Sequence, residues 1–299
     1  MDINKNITIV IVTYQTERKI LRKCLKSINK RFKILIIENS EKFEDQKLFL
    51  KEFKNLKIIC SGLNLGYGGG NNFGLNRVKT RYALILNPDT QLEFDFFYNL
   101  KKIIKSYNNF YLIGCSQKNK NSSLPAGNFD EEKNKHFKEL LNTKKLGSIA
   151  KVDWIRGFSM IIDLKKFNKK NIFDKNYFLY LEEIDLCKSI KDKGGNIYFS
   201  KKLRVKHLGF KGSFGASKLK SERAENLRNW HYMWSSFYFY KKNYNYFFAL
   251  EKMIGKLLRS LFKTMFYSLT FQKTKKNKYL YRFLGIISSM IGMSSFFRI

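Results

Sequence analysis

Acidic residues are what this chain lacks most. Its 299 residues carry 24 Asp and Glu against 58 Lys and Arg, a formal net charge of +34. Such an imbalance makes a long-range field that attracts polyanions, and nucleic acid is the first partner to consider. The motifs that partner requires are missing: there is no zinc-finger spacing, no RRM-type ribonucleoprotein motif and no evident helix-turn-helix. No nucleic-acid partner is expected. Proline is nearly absent, at two residues, and with abundant Lys, Asn, Ile and Phe this points to an AT-rich coding genome, so much of the charge is compositional bias. The four cysteines, Cys24, Cys60, Cys115 and Cys187, form no CxxC pair and lie in apolar or helical contexts, which fits buried thiols in a reducing compartment. No leading secretory signal is evident. The apolar stretch Phe283–Phe297 is about fifteen residues, short of the roughly twenty that span a bilayer, and it is expected to be interfacial or re-entrant.

What is present is enough apolar content, 44%, for a full core. Residues 7–14, ITIVIVTY, are a continuous β-branched run. A helical pattern follows (Ile20, Leu21, Leu25, Ile28), then a second strand, Phe32–Ile37, ending at Glu38-Asn39-Ser40. Two strands separated by a helix predict a βαβ unit with a right-handed crossover. Leu56–Cys60 and Tyr82–Leu86 supply further strands, so polar residues repeatedly follow strand ends, at Thr13, Glu38, Asn64 and Asp89. Open α/β sheets bind ligands at that edge.

Between the third and fourth strands lies GLNLGYGGGNNFGLNRVKT, from residue 62. It is neither a dinucleotide fingerprint, which follows the first strand directly, nor a P-loop, because no Gly-Lys-Ser/Thr follows the glycines. Its glycines are expected to permit positive φ and close backbone approach to a ligand, with Asn71 and Asn72 as neutral donors. The fourth strand ends at Asn87-Pro88-Asp89-Thr90, where a carboxylate can hold Mg²⁺ or Mn²⁺ against a diphosphate; the same residues also suit a plain turn.

With these motifs the chain resembles the family 2 glycosyltransferases of GT-A fold, especially their rhamnosyltransferase-like bacterial branch. The match rests on residues 9–14, on 64–72, on 87–90 and on Phe178-Leu179-Tyr180-Leu181-Glu182-Glu183-Ile184-Asp185-Leu186-Cys187, in that order, and covers roughly residues 5–215. The resemblance implies a mixed, mainly parallel α/β sheet and a nucleotide-sugar donor. It places Thr13, Tyr14 and Glu38 at the nucleoside pocket, Asn64, Gly66, Gly69, Asn72 and Asn87 near the donor, and the metal at Asp89. Two departures stand out: Glu38 replaces the usual Asp after the second strand, and Asn87 occupies the first place of a metal motif that often holds two acids.

In the second half, Val152–Asp163 reads as a strand region, with Gly157 allowing a bend or a close approach to ligand. Glu182-Glu183-Ile184-Asp185 then opens a helical pattern. Acids in a first helical turn suit the helix dipole, but three in four residues of so basic a chain point to a place where a hydroxyl loses its proton. By resemblance Glu183 is the catalytic base, with Asp185 the second candidate; Glu182 would then contact the acceptor or orient neighbouring groups. His207 is a candidate metal ligand and Lys211 a candidate phosphate contact. Arg156 is a further phosphate candidate, and Trp154 a candidate for stacking on a sugar.

The expected organisation is a GT-A-like catalytic domain over 1–240, with a mobile insert at about 117–151, and a basic helical tail over 241–299. In Lys252–Phe271 the apolar residues Met253, Ile254, Leu257, Leu258, Leu261, Met265 and Phe266 recur at helical spacing with Lys256, Arg259 and Lys263 between, as in helices that lie in an anionic membrane interface. The expected activity is inverting, metal-dependent transfer of a sugar, best L-rhamnose from dTDP-rhamnose, to a lipid-linked or polysaccharide acceptor. The expected location is the inner face of a bacterial plasma membrane. A decayed membrane- or polyanion-binding scaffold and a nucleotidyltransferase are the alternatives.

Overall fold

The computed structural model describes residues 2–118, 124–167, 171–207 and 218–298. After one helical turn, α1 (Ile3–Asn6), the chain alternates β1 (Ile7–Thr13), α2 (Arg18–Lys26), β2 (Lys33–Glu38), α3 (Gln46–Glu52), β3 (Leu56–Cys60), α4 (Gly66–Leu75) and β4 (Tyr82–Leu86). β5 (Thr90–Leu92), α5 (Phe96–Ser106), β6 (Leu112–Gln117), β7 (Ala126–Gly127), α6 (Glu131–Asn142), β8 (Ile149–Val152), β9 (Trp154–Ile155), β10 (Ser159–Asp163), α7 (Glu182–Asp192) and β11 (Ile197–His207) follow. Three long helices, α8 (Lys218–Asn243), α9 (Tyr246–Leu269) and α10 (Lys273–Met290), complete the described chain.

One sheet has the strand order β3-β2-β1-β4-β10-β6-β11-β5, with β8 sharing the outer edge of β11. The first four strands are parallel, as expected of successive βαβ units, and β10 enters antiparallel between β4 and β6. The core is split by the period-2 alternation of strand side chains. Ile7, Ile9 and Ile11 of β1 point to one layer, with Leu21, Cys24, Phe49, Phe96 and Leu100. Val10 points to the other, with Leu75, Phe137, Leu186 and Ile190. Every residue of β4 is buried, as expected of a central parallel strand covered on both faces.

Several expectations change on folding. The glycine-rich segment is helical over most of its length: Gly66–Leu75 is the helix α4, laid tightly on the sheet. A Cβ at Gly70 would stand 2.7 Å from Val12 Cγ1, and one at Gly74 would stand 2.7 Å from Val10 Cγ1. These glycines cost helix stability, about 1 kcal/mol each relative to alanine, and serve close helix–sheet packing. The region 152–163 is broken at Asp153, between β8 and β9, and again at the turn 156–158, between β9 and β10. Within 117–151 the described residues include β7, β8 and the helix α6, capped by Asp130, whose carboxylate accepts from Lys133 N at 2.9 Å.

The end of the chain differs too. α8, from Lys218 to Asn243, runs across residue 240. The core of the three long helices is Met233 and Phe237 of α8, Ala249, Met253 and Leu257 of α9, and Ile286 of α10. The stretch 283–297, expected as interfacial or re-entrant, packs instead on α8 and on the catalytic domain. Gly285 is so close to the Trp230 carbonyl that a Cβ there would come within 2.3 Å of it, Trp234 Nε1 donates to Met293 O, and Ser295 Oγ donates to Asn176 O. No described helix is long and apolar enough to cross a membrane.

Candidate active site

The carboxyl ends of β1, β2 and β4 open on a cleft of about 390 Å³. Its floor is polar because each apolar strand run ends in a hydrogen-bonding residue. Thr13 Oγ1 donates to Glu38 Oε2 at 2.7 Å, and Ser40 Oγ donates to Glu38 Oε1 at 2.9 Å. Glu38 is buried, so these two donors hold a carboxylate that lies just under the cleft surface, while Thr13, Tyr14 and Asn39 form the surface itself. Asn39 Nδ2 donates to Gly66 O at 2.8 Å, and the Gly66 amide donates to Asn64 Oδ1 at 3.1 Å. Asn64 and Gly66 therefore line the cleft as expected.

On the β4 side, Asn87 and Asp89 line the cleft together with His207, the last residue of β11. β11 brings His207 there by pairing with β5, and the Phe158 ring stacks on the imidazole at 5.1 Å between centroids. His207 Nε2 lies 3.3 Å from Asp89 Oδ1. The two metal candidates, 118 residues apart in sequence, thus meet at one point. Among the described residues no cluster of three or more His, Cys, Asp or Glu forms a complete cation cage.

The opposite wall is the start of α7. Tyr180 and Leu181 have φ of 72° and 67°, left-handed values that cost a non-glycine residue about 1–3 kcal/mol each. Neighbours hold this turn: Tyr67 N donates to Phe178 O at 3.0 Å, and Ser235 Oγ of α8 donates to Leu179 O at 2.9 Å. Gly66 is required here, for its φ of +74° and because a Cβ would lie 2.1 Å from Phe178 O. The turn points Glu182 and Glu183 into the cleft.

These two acids differ in environment. Glu182 is 3% exposed and its Oε2 has no hydrogen-bond partner among the described residues. Burial, then the neighbouring charge of Glu183, holds its carboxyl well above the usual range. Glu183 is also raised by burial, but its own backbone amide, Arg156 and the amides of Gly157 and Ile184 offset part of that effect. The Tyr67 hydroxyl donates to Gly157 O at the same wall, and burial beside Glu183 and Glu182 pushes its pKa up.

Not every candidate reaches the cleft. Asp185 is buried behind it, accepting from Lys242 Nζ at 2.6 Å, Asn243 Nδ2 at 2.9 Å and Tyr177 OH at 3.2 Å. Asn72 staples α4 to the following segment through the amide and carbonyl of Phe173, at 2.9 and 2.8 Å, and Gly69 packs on Leu65. Trp154 donates its indole N–H to Asn128 O, outside the cleft. Gly157 and Arg156 do line the cleft, and Lys211 lies outside the described residues. The cleft also contains residues without a sequence signal, Leu227 and Arg228 of α8. Nothing marks Arg228 among 58 cations until α8 is folded against the turn.

A glycosyl transferase family 2 model matches residues 8–172. The chain is 26% identical over 213 residues to rhamnosyltransferase WbbL of Escherichia coli K12, covering 64% of this chain and 79% of that one. It is 25% identical over 200 residues to the low-salt glycan biosynthesis hexosyltransferase Agl10 of Haloferax volcanii, of whose length it spans 64%. Among solved structures, the mannosyltransferase PcManGT from Pyrobaculum calidifontis, in complex with GDP-Man and Mn²⁺, superposes with a TM-score of 0.54 at 10% identity, over 95% of this chain and 87% of that one. GalNAc-T7 with UDP, GalNAc and Mn²⁺ gives 0.53 at 14% identity, over 79% and 50%. The fold is thus that of the GT-A glycosyltransferases, and with its family match over residues 8–172 the chain belongs to glycosyl transferase family 2.

Proposed function

We propose that the chain is an inverting glycosyltransferase that uses a divalent metal and moves a hexose, best L-rhamnose from dTDP-rhamnose, to a hydroxyl of a lipid-linked or polysaccharide acceptor. The observation that carries the reading is the layout of the cleft: a nucleoside floor at Thr13 and Asn39 with Glu38 hydrogen-bonded beneath it, a cation corner at Asp89 and His207, and a carboxylate wall at Glu182 and Glu183. The rhamnose assignment rests on the relative named a rhamnosyltransferase. The reaction belongs, on this reading, to cell-surface glycan synthesis such as O-antigen assembly, on the inner face of a bacterial plasma membrane.

The residues present suit a metal. Asp89 Oδ1 and His207 Nε2, an oxygen and a nitrogen donor 3.3 Å apart in the cleft, would hold Mg²⁺ or Mn²⁺ beside the diphosphate. Bound there, Mg²⁺ or Mn²⁺ supplies positive charge to the departing diphosphate. The chain's own residues supply the rest. Glu183, less enclosed than Glu182 and with its pKa raised, accepts the proton of the acceptor hydroxyl as that oxygen bonds to the anomeric carbon and the bond to the nucleoside diphosphate breaks. Attack from the face opposite the leaving group inverts the anomeric configuration. Arg156 lies beside Glu183 and stabilises its charged form before the proton arrives.

A thermal-shift screen of the purified protein with UDP, dTDP, GDP and CDP, each with and without Mg²⁺ or Mn²⁺, tests the reading. One nucleotide is expected to stabilise only with metal, by about 2.7 kcal/mol at a hundred times its Kd, and Asp89→Ala is expected to remove that shift. Folded protein that responds to none of the four would defeat it.

A further inference from the structure

α9 has two apolar faces, and only one is used. Met253, Leu257 and the small residues Ala249 and Ser260 are buried against α8 and α10. Leu258, Leu261, Phe262, Met265, Phe266 and Leu269, on the other side of the same helix, are all exposed. The stripe runs on into the turn after the helix, where Phe271 is 93% exposed. At roughly 200 Å² per ring, Phe262, Phe266 and Phe271 alone expose on the order of 400 Å². The leucines and the methionine enlarge the patch beyond what a soluble monomer ordinarily leaves bare.

Charge identifies what covers it. Lys252, Lys256, Arg259 and Lys263 follow one flank of the stripe, and Lys273, Lys275, Lys276 and Lys278 gather just past Phe271. From residue 241 to the end there are twelve Lys or Arg and one acid, Glu251, which pairs with Lys252 at 3.8 Å. A symmetric dimer through this stripe would set two cationic flanks against each other. An anionic bilayer surface satisfies both features at once, taking the rings among its acyl chains and the ammonium groups among its phosphates.

We infer that the outward face of α9, from Leu258 to Phe271, is the docking surface of this protein on an anionic lipid bilayer, with the helix lying in the plane of the interface. The helix is 24 residues, about 36 Å, so docking holds a long segment parallel to the surface and does not span it. The segment 283–297 is anchored to α8 and to Asn176, with Trp234 Nε1 donating to Met293 O and Ser295 Oγ to Asn176 O. Through α8, which carries Leu227 and Arg228 at the cleft and Ser235 at the turn, the docked helix belongs to the unit that lines the active site. This deepens the membrane location proposed above but does not depend on sugar transfer.

The test is co-sedimentation of the full chain with vesicles of one part phosphatidylglycerol to three parts phosphatidylcholine, against vesicles of phosphatidylcholine alone, without nucleotide. The protein is expected to pellet with the anionic vesicles only. Leu258→Glu with Phe262→Glu, both at exposed positions, is expected to lower the partition coefficient at least roughly tenfold. Its circular dichroism should be unchanged. Lys273→Glu with Lys275→Glu should remove the preference for anionic lipid. Failure of the wild-type chain to pellet, or pelleting unaffected by the Leu258 and Phe262 changes, overturns the inference. So does a wild-type dimer by light scattering that the same changes dissolve without any vesicle binding. The nucleotide screen reads the sugar-transfer proposal separately, so either can fail alone.

Discussion

Asp185→Asn separates the two acids that sequence reasoning leaves as rival bases. In the fold, Asp185 accepts from Lys242, Asn243 and Tyr177, and its side chain is 4% exposed. The substitution removes the charge that Lys242 faces but keeps the side chain's volume and one carbonyl acceptor. A hydrogen bond to a charged group contributes about 1.5–3 kcal/mol. Lys242 is 36% exposed and also reaches Asp174 at 2.8 Å, so solvent and the second partner pull the expected loss to about 2 kcal/mol. For a chain this long that lowers Tm by roughly 3 °C. Turnover below the new Tm should stay within a factor of a few of wild type, because Asp185 does not reach the cleft. Glu183→Gln should do the reverse, with Tm kept or raised, because burial lifts the Glu183 pKa, and turnover reduced by about 10²–10⁴-fold, the usual contribution of a general base. Thermal unfolding by circular dichroism and steady-state transfer measured on the same samples decide the matter. An Asp185→Asn enzyme with wild-type Tm and no turnover would refute the reasoning.

Two other outcomes follow from the cleft and from α4. Glu182 has a folded-state pKa raised above its unfolded value by burial and by Glu183, so its ionised form costs stability. Glu182→Gln should therefore raise Tm, by an amount that starts near the ordinary carboxylate pKa of about 4.3, grows with pH until the folded-state pKa is passed, and vanishes below pH ~4; Tm against pH for both proteins checks it, and a constant difference would sink it. Gly74→Ala places a Cβ 2.7 Å from Val10 Cγ1 and 3.0 Å from Ile37 Cγ1, and is expected to cost about 1–3 kcal/mol by overpacking despite the better helix propensity of alanine; denaturant unfolding that shows a gain would mean that α4 can lift off the sheet.

Much of the catalytic half was legible because its signals are local. An apolar β-branched run followed by a polar residue marks a strand's carboxyl end wherever it occurs, and it puts Thr13, Asn64 and Asp89 at the lining of the cleft with Glu38 buried beneath. Glu182 and Glu183 stood out as acids clustered in a basic chain. The glycine segment shows where locality stops: the same glycines that allow backbone to approach a ligand also allow a helix to approach a sheet, and only the positions of Val10, Val12 and Asn39 distinguish the two. Asn72 likewise reads as a donor near a ligand, yet its partner is the backbone of Phe173, a residue 101 positions away.

By itself the amino-acid order determined the alternation of strands and helices, the polar edge of the sheet, the family and the helical period of the tail. Each of these is written in short-range patterns of apolar and polar side chains. The tertiary structure alone decided which side of each element is covered. Glu183 and Asp185 are two residues apart on one helix, about 200° around its axis, so one faces the cleft and the other faces Lys242, 57 positions further along the chain. The single apolar stripe read in α9 became a buried face and a bare one, because α8 and α10 cover Met253 and Leu257 and leave Leu258 and Phe262 to another surface. His207 joined Asp89 only when β11 paired with β5. A local pattern fixes the period of an element, but its partners come from distant segments, and it is the partners that assign each side chain to the core, the site or the surface.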